Sequence, residues 1–372
     1  MKKLFLVVLV CLLAVASAAL VSAQEGGELP ALDELDEGWN MLSPGGDTIC
    51  SNGTDYAFYV RPGESDKLLI FFNGGGACWF GQICDLQSHP TYVPVVETEH
   101  NMPDTQSGIF DMDNPDNPFT DYTMVFVPYC TGDVHIGNSV MTYEVPATED
   151  TEAREVTIYH NGYNNAMAVL NWVYDNVDAP EEVFVSGSSA GAIASPFYGG
   201  LIAEQYPDSR IVVLGDGAGG YHSEGVTAPL TAWDTESILP DWPEYEEVTA
   251  DGLNFEDFYV ATALRHPDVV IAQYNTAEDE TQYSFLGLVG VTDTPLMDLL
   301  EGAFSEIEEG ADEELYTYTA GGDLHTILRR PEFYTYEVDG ERVVDWVAAL
   351  VSGEAVSDVT CTECEVAPEP AE

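Results

Sequence analysis

The feature that most restricts the fold is the pentapeptide Gly187-Ser188-Ser189-Ala190-Gly191. It stands between a β-branched and aromatic run, Val183-Phe184-Val185, and a stretch of helical character over 190–205. A G-x-S-x-G in that setting is a strand–turn–helix corner so tight that its flanking residues must be very small. Gly187, Ala190 and Gly191 meet that demand. Such a corner holds a serine hydroxyl at the carboxyl edge of a sheet. It also aims the next helix's N-terminus, with free N–H groups and a positive dipole end, at the same place. Ser189 is therefore the candidate nucleophile.

The rest of the chain keeps the same alternation. Residues 68–72 read as a buried strand that stops at Asn73-Gly74-Gly75-Gly76, and residues 123–127 as another. Ala166, Val169, Leu170 and Val173 mark one face of a helix over 161–176. Further strands are predicted over 210–214, 268–273 and 314–319, with a last helix near 343–350. Strands separated by helices need crossover connections. The prediction is an α/β fold with a mostly parallel central sheet and helices on both faces.

The ends read differently. Lys2 and Lys3 precede an apolar run, and Val21-Ser22-Ala23 fits a small-x-small cleavage site. Residues 1–23 are thus expected to be a signal peptide, with a mature chain from Gln24 that is secreted or otherwise extracytoplasmic. Residues 24–38 form an acidic lead-in, 39–356 one domain without repeats or linkers, and 357–372 an acidic tail. After signal cleavage no segment is long and apolar enough to span a bilayer.

The chain has 66 acidic and 10 basic residues, a net charge of −56. Such a surface repels nucleic acid and anionic membranes, which excludes both as partners. Acidic residues spread along the whole chain suit a hydrated surface in salty surroundings better than a binding patch. Six cysteines follow the signal segment: Cys50, Cys78, Cys84, Cys130, Cys361 and Cys364. An even number in an exported chain points to disulfides, whose pairing sequence does not fix. Cys361-x-x-Cys364 is read as a local disulfide rather than half a zinc site.

A serine needs a base and an acid, which in this arrangement follow it in the order acid, then His. His222 comes too early, directly after the strand that follows the nucleophile helix. His266, in Arg265-His266-Pro267, leads into a strand and so lies at the wrong edge. His325, in Gly321-Gly322-Asp323-Leu324-His325, follows the last strand and is the candidate base. For the acid two aspartates compete: Asp216 at the end of one strand, and Asp279 in the loop after the next, between Glu278 and Glu280. Acyl transfer also needs oxyanion donors. The Asn73-Gly74-Gly75-Gly76-Ala77 loop and the Ala190 N–H are placed to supply them. A phosphate loop would need a Lys-Ser/Thr partner that is missing here.

Several blocks together resemble the pectin acetylesterase family, the Notum-like carboxylesterases of the α/β-hydrolase superfamily. They are Cys50-Ser51-Asn52-Gly53-Thr54, Asn73-Gly74-Gly75-Gly76-Ala77-Cys78-Trp79, Asn117-Pro118-Phe119, Tyr129-Cys130-Thr131-Gly132-Asp133-Val134-His135, the Ser189 corner, Asp279-Glu280-Thr281-Gln282 and His325. The resemblance implies an α/β-hydrolase fold, no metal or cofactor, and hydrolysis of an acyl ester. It favours Asp279 as the acid and leaves Asp216 a structural role. It implies Gly75, Gly76 and Ala190 as oxyanion donors, and disulfides Cys78–Cys84 and Cys50–Cys130. Animal Notum carries a bulky aromatic where this chain has Gly76, so a lipid-sized acyl pocket is not implied.

The expected function is a Ser-His-Asp esterase acting on acetyl groups, with an acetylated polysaccharide such as pectin as the partner substrate. Trp79, Phe80 and Tyr129 are candidate pocket residues. Small or lipid-like esters, a peptidase on the same fold, and a secreted binding protein that kept the fold without the chemistry are the rival readings.

Overall fold

The apolar runs of the sequence become the centre of a nine-stranded sheet. The structure is a computed structural model that describes residues 28–367 apart from 89, 150, 247, 250 and 314. The expected signal peptide and the Pro368-Glu369-Pro370 end of the tail lie outside the described residues. In chain order the elements are β1 (Asn40–Leu42), β2 (Phe58–Arg61), β3 (Lys67–Phe72), α1 (Gly81–Cys84), β4 (Thr123–Val127), the hairpin β5 (Ser139–Val145) and β6 (Arg154–His160), and α2 (Gly162–Asn176). Then come β7 (Glu182–Ser188), α3 (Ala190–Gln205), β8 (Arg210–Asp216), α4 (Thr227–Trp233), α5 (Glu256–Arg265), β9 (Val270–Thr276), α6 (Glu280–Leu288) and α7 (Leu296–Ala311). The chain continues through β10 (Leu315–Ala320), the ribbon β11 (Glu337–Val338) and β12 (Glu341–Arg342), α8 (Val343–Ser352) and β13 (Val359–Thr360).

The sheet order is β1-β2-β4-β3-β7-β8-β9-β10-β13. The first two pairings are antiparallel and every pairing from β4 to β13 is parallel. Every residue of β4 and β7 is buried, so both faces of the sheet centre are covered, as continuous apolar runs in parallel strands require. The helix α3 packs on β3, β7 and β8 and is buried almost all round, which suits its Ala- and Gly-rich sequence. This is the α/β-hydrolase fold, with the Ser189 corner at the centre of the sheet.

Two boundaries differ from the sequence reading. The strand expected from 268 begins at Val270, because His266 to Val269 close a turn (Val269 N to His266 O, 2.9 Å). It then runs past the expected end at Gln273 to Thr276 through Asn275, a polar residue that an apolar pattern excludes. Asn275 Oδ1 accepts from Gly219 N at 2.9 Å and Gln282 Nε2 at 3.3 Å, so the polar strand end holds site loops. The segment after 357 also contributes a strand: β13 pairs with β10, and Cys364 O accepts from Gly322 N at 2.9 Å. Three disulfides are present, Cys50–Cys130, Cys78–Cys84 and Cys361–Cys364.

Candidate active site

Ser189 caps α3 with φ 55° and ψ −117°, a strained conformation for a residue with a side chain. Packing enforces it. A Cβ on Gly191 would lie 1.9 Å from Phe72 O, so the helix start can press against the end of β3 only if that residue is glycine. Ser189 N donates to Asp216 O at 2.7 Å, which fixes the turn to the neighbouring strand. The Ser189 side chain is half-buried at the rim of a pocket.

The two competing aspartates are both fully buried but face different partners. Asp279 is the N-cap of α6: its Oδ1 accepts from Thr281 N at 2.9 Å and Gln282 N at 3.1 Å. Its Oδ2 accepts from Gln282 Nε2 at 3.1 Å and lies 2.7 Å from His325 Nδ1. Glu280 points outward and Glu278 is half-buried, so helix capping selects Asp279 from the acidic triplet. Asp216 instead accepts from Ser188 Oγ at 2.6 Å, Ile327 N at 2.8 Å and Leu328 N at 3.1 Å. Burial raises its carboxyl above the usual range. It ties the His325 loop to β7, the strand that leads into Ser189. Among the described residues no hydrogen bond joins Ser189 Oγ to His325. His222 pairs with Glu256 at 2.9 Å and His266 packs edge-on against Trp242, so neither histidine faces Asp279.

The glycine loop is pinned from behind. Asn73 N donates to Val127 O at 3.0 Å, and Asn73 Nδ2 to Asn101 Oδ1 at 2.7 Å. Arg329 Nη1 bonds Asn73 Oδ1, and His135 Nε2 lies 2.8 Å from Asn73 O. His100 Nε2 lies 2.8 Å from Gly74 O. In a trans peptide the N–H points away from the C=O, so holding Gly74 O on His100 turns Gly75 N–H to the opposite side. Among the described residues no acceptor takes the N–H of Gly75, Gly76 or Ala190. Gly76 has φ +83°, and a Cβ there would lie 1.8 Å from Thr91 O.

The pocket beside Ser189 is lined by Gly76, Ala190 and apolar side chains that include Trp79, Tyr221, Trp233, Phe255 and Phe285. Its free volume is about 40 Å³. Of the three aromatics predicted to shape it, Trp79 does so. Phe80 stacks edge-on behind Trp79 at 5.7 Å, and Tyr129 is core, its hydroxyl accepting from Val134 N at 2.9 Å. Sequence reasoning missed Tyr221, Trp233 and Phe255. The available signal was the long excursion between β8 and β9, which leaves the carboxyl edge where site loops gather.

An α/β-hydrolase sheet with a serine corner defines a class, and comparison narrows it. The family described as Pectinacetylesterase matches residues 41–228, half of the chain. The chain belongs to this family. It is 26% identical over 202 residues to the palmitoleoyl-protein carboxylesterase notum1 of Xenopus laevis, covering 51% of this chain and 39% of that protein. It is 29% identical over 155 residues to the palmitoleoyl-protein carboxylesterase NOTUM of Schmidtea mediterranea, covering 39% and 26%. It is also 31% identical over 97 residues to the inactive palmitoleoyl-protein carboxylesterase notum1b of Danio rerio, covering 25% and 68%. The chain thus spans less than half the length of the first two. No helix among the described residues is long and apolar enough to cross a membrane.

Proposed function

We propose that this protein is an exported serine carboxylesterase that removes short acyl groups, acetyl foremost, from an acetylated polysaccharide such as pectin. The observation that carries the reading is the small apolar pocket at Ser189, with the Asp279–His325 pair at the same sheet edge. In this mechanism His325 Nε2 takes the Ser189 proton as Oγ attacks the ester carbonyl, and Asp279 fixes the imidazole tautomer through Nδ1. The Gly75, Gly76 and Ala190 N–H groups receive the oxyanion. His325 returns the proton to the leaving alcohol. Water then attacks the acyl-enzyme by the same route and releases the acid.

Acyl size follows from volume. A water needs roughly 10–15 Å³ of such space. About 40 Å³ therefore holds about three waters' worth, which suits an acetyl group. The three disulfides support export. Repulsion between the acidic surface and a polyanionic substrate falls as salt screens it.

The test is hydrolysis of p-nitrophenyl acetate, butyrate and octanoate by wild type and Ser189→Ala, followed by acetate release from acetylated pectin. Acetate is expected to be the best ester, with activity down at least about 10³-fold in Ser189→Ala. No hydrolysis above background by the folded wild type would leave a binding protein on the same fold, and equal activity in the two proteins would place the nucleophile elsewhere. A preference for octanoate would overturn the short-acyl reading alone.

A further inference from the structure

A second cluster lies behind the wall of the pocket. His222 Nδ1 is 2.9 Å from Glu256 Oε1 and 3.5 Å from Glu306 Oε2. The ligand atoms of all three residues lie within 4.8 Å of one another. They come from three separate places: the loop after β8, the first turn of α5, and α7. We propose that His222, Glu256 and Glu306 form a binding site for one divalent transition-metal ion of the zinc type.

Geometry supports this. Zinc bonds nitrogen and carboxylate oxygen at about 2.0–2.2 Å, so two ligands of a tetrahedral ion sit about 3.3 Å apart. The two distances from Nδ1 bracket that value. The imidazole has a prepared seat: a Cβ on Gly302 would fall 2.8 Å from the His222 ring, and Glu306 follows Gly302 by one helical turn on the same face of α7. The second carboxylate oxygen of Glu306 accepts from Asn254 Nδ2 at 3.2 Å, the kind of outer bond that orients a metal ligand. Glu256 is only 5% exposed, and a carboxylate so buried needs a positive partner close by. A neutral imidazole has one Nδ1–H and can serve only one of the two carboxylates. A metal ion serves both. An imidazole ligand selects first-row transition ions over calcium and magnesium. The other grouping of this kind among the described residues, Cys78, Cys84 and His160, has its sulfurs joined in a disulfide and carries no such case.

The ion would act as a clamp. Tyr221 and Phe255 line the pocket and touch each other at 6.2 Å, and each immediately precedes a ligand, His222 and Glu256. Binding would therefore join two pocket-wall segments to α7. This site does not depend on the chain being an esterase.

The test uses chelator-treated full chain in molar KCl, which screens diffuse uptake by the acidic surface. Zinc is titrated calorimetrically and cobalt by visible absorption, on wild type, Glu306→Gln and His222→Gln. Glu306 is half-exposed, so its variant should fold. Metal-free melting of each variant checks this. The expected result is one saturable zinc per chain, a rise in Tm of the wild type, and cobalt d–d bands. Each variant should bind at least about tenfold more weakly. Weak multi-site uptake alike in all three proteins, with no cobalt bands, would overturn the proposal and leave a His–Glu ion pair.

Discussion

The two sides of Ser189 are built from different chemistry. On the glycine-loop side, shape is held mainly by buried groups that stay neutral, Asn73, Asn101, His135 and His160, with Arg329 and Asp133 as the charged exceptions. On the opposite side, buried carboxylates organise the loops, Asp216 through backbone N–H groups and Asp279 through His325. The difference follows from task. A loop that presents N–H donors needs fixed peptide planes and no anion competing for those N–H groups. A base that must become an imidazolium needs a fixed anion against it. The comparison predicts that removing charge on the second side costs catalysis or stability according to which aspartate is changed.

The largest effect is expected for Asp279→Asn. The amide keeps an oxygen for Thr281 and Gln282, so the cap of α6 survives. Its NH₂ would face His325 Nδ1 and force the proton onto Nε2, the wrong tautomer for a base. The expected loss in kcat is about 10³–10⁴-fold with Tm near wild type. Esterase assays beside thermal melts check both halves. A normal kcat would move the acid elsewhere and break the comparison.

Asp216→Asn should do the reverse. One carboxylate serves three donors across both oxygens, and an amide offers a single acceptor. Leu328 N–H is the donor left over, since Ser188 can rotate its hydroxyl. An orphaned buried N–H costs about 1–3 kcal/mol, read as a lower Tm. The expected fall in kcat is about tenfold, through displacement of the His325 loop. Should Asp216→Asn lose more activity than Asp279→Asn while keeping its Tm, the two roles would be exchanged.

These two aspartates also show how far the sequence could be read. Chain order and strand ends brought both to the right edge, because parallel strands deliver their following loops there. Nothing local separated them: each follows a strand and each is fully buried. What separates them is the partner on another loop, Leu328 for one and His325 for the other. The neutral side was harder still. His100, Asn101 and Arg329 hold Asn73 across 27 or more positions of chain, and a buried polar contact of that span has no period to detect. The corner at Ser189 was legible because the residues that answer its constraint are adjacent in sequence: the approach of Phe72 O from β3 demands glycine at 191, two positions after the serine.

The smallest effect probes the neutral side through acid. Burial pushes His135 and His160 down to about 4, against an ordinary 6.5. Both therefore stay neutral in the fold while the unfolded chain takes up protons below 6.5. The stability they contribute is complete above that value and is lost as pH falls toward 4. Asp133 opposes this. Burial raises its carboxyl from 3.8 to about 6, so over that window the folded state binds the extra proton and gains stability on acidification. Among these three groups the two imidazoles outweigh the one carboxyl, so their sum is a loss on the acid side. His160 lies between Tyr143 Oη at 2.8 Å and Thr131 O at 3.1 Å, partners that a glutamine side chain can also meet without titrating. His160→Gln should therefore flatten the fall in stability between pH 6.5 and 4 by on the order of 1–3 kcal/mol, whatever its own Tm at neutral pH. Comparing slopes cancels the change in surface repulsion that both proteins share as their carboxylates protonate. Parallel slopes for the two proteins would mean that this side of the site is not held by neutral imidazoles, and the contrast with the carboxylate side would fail.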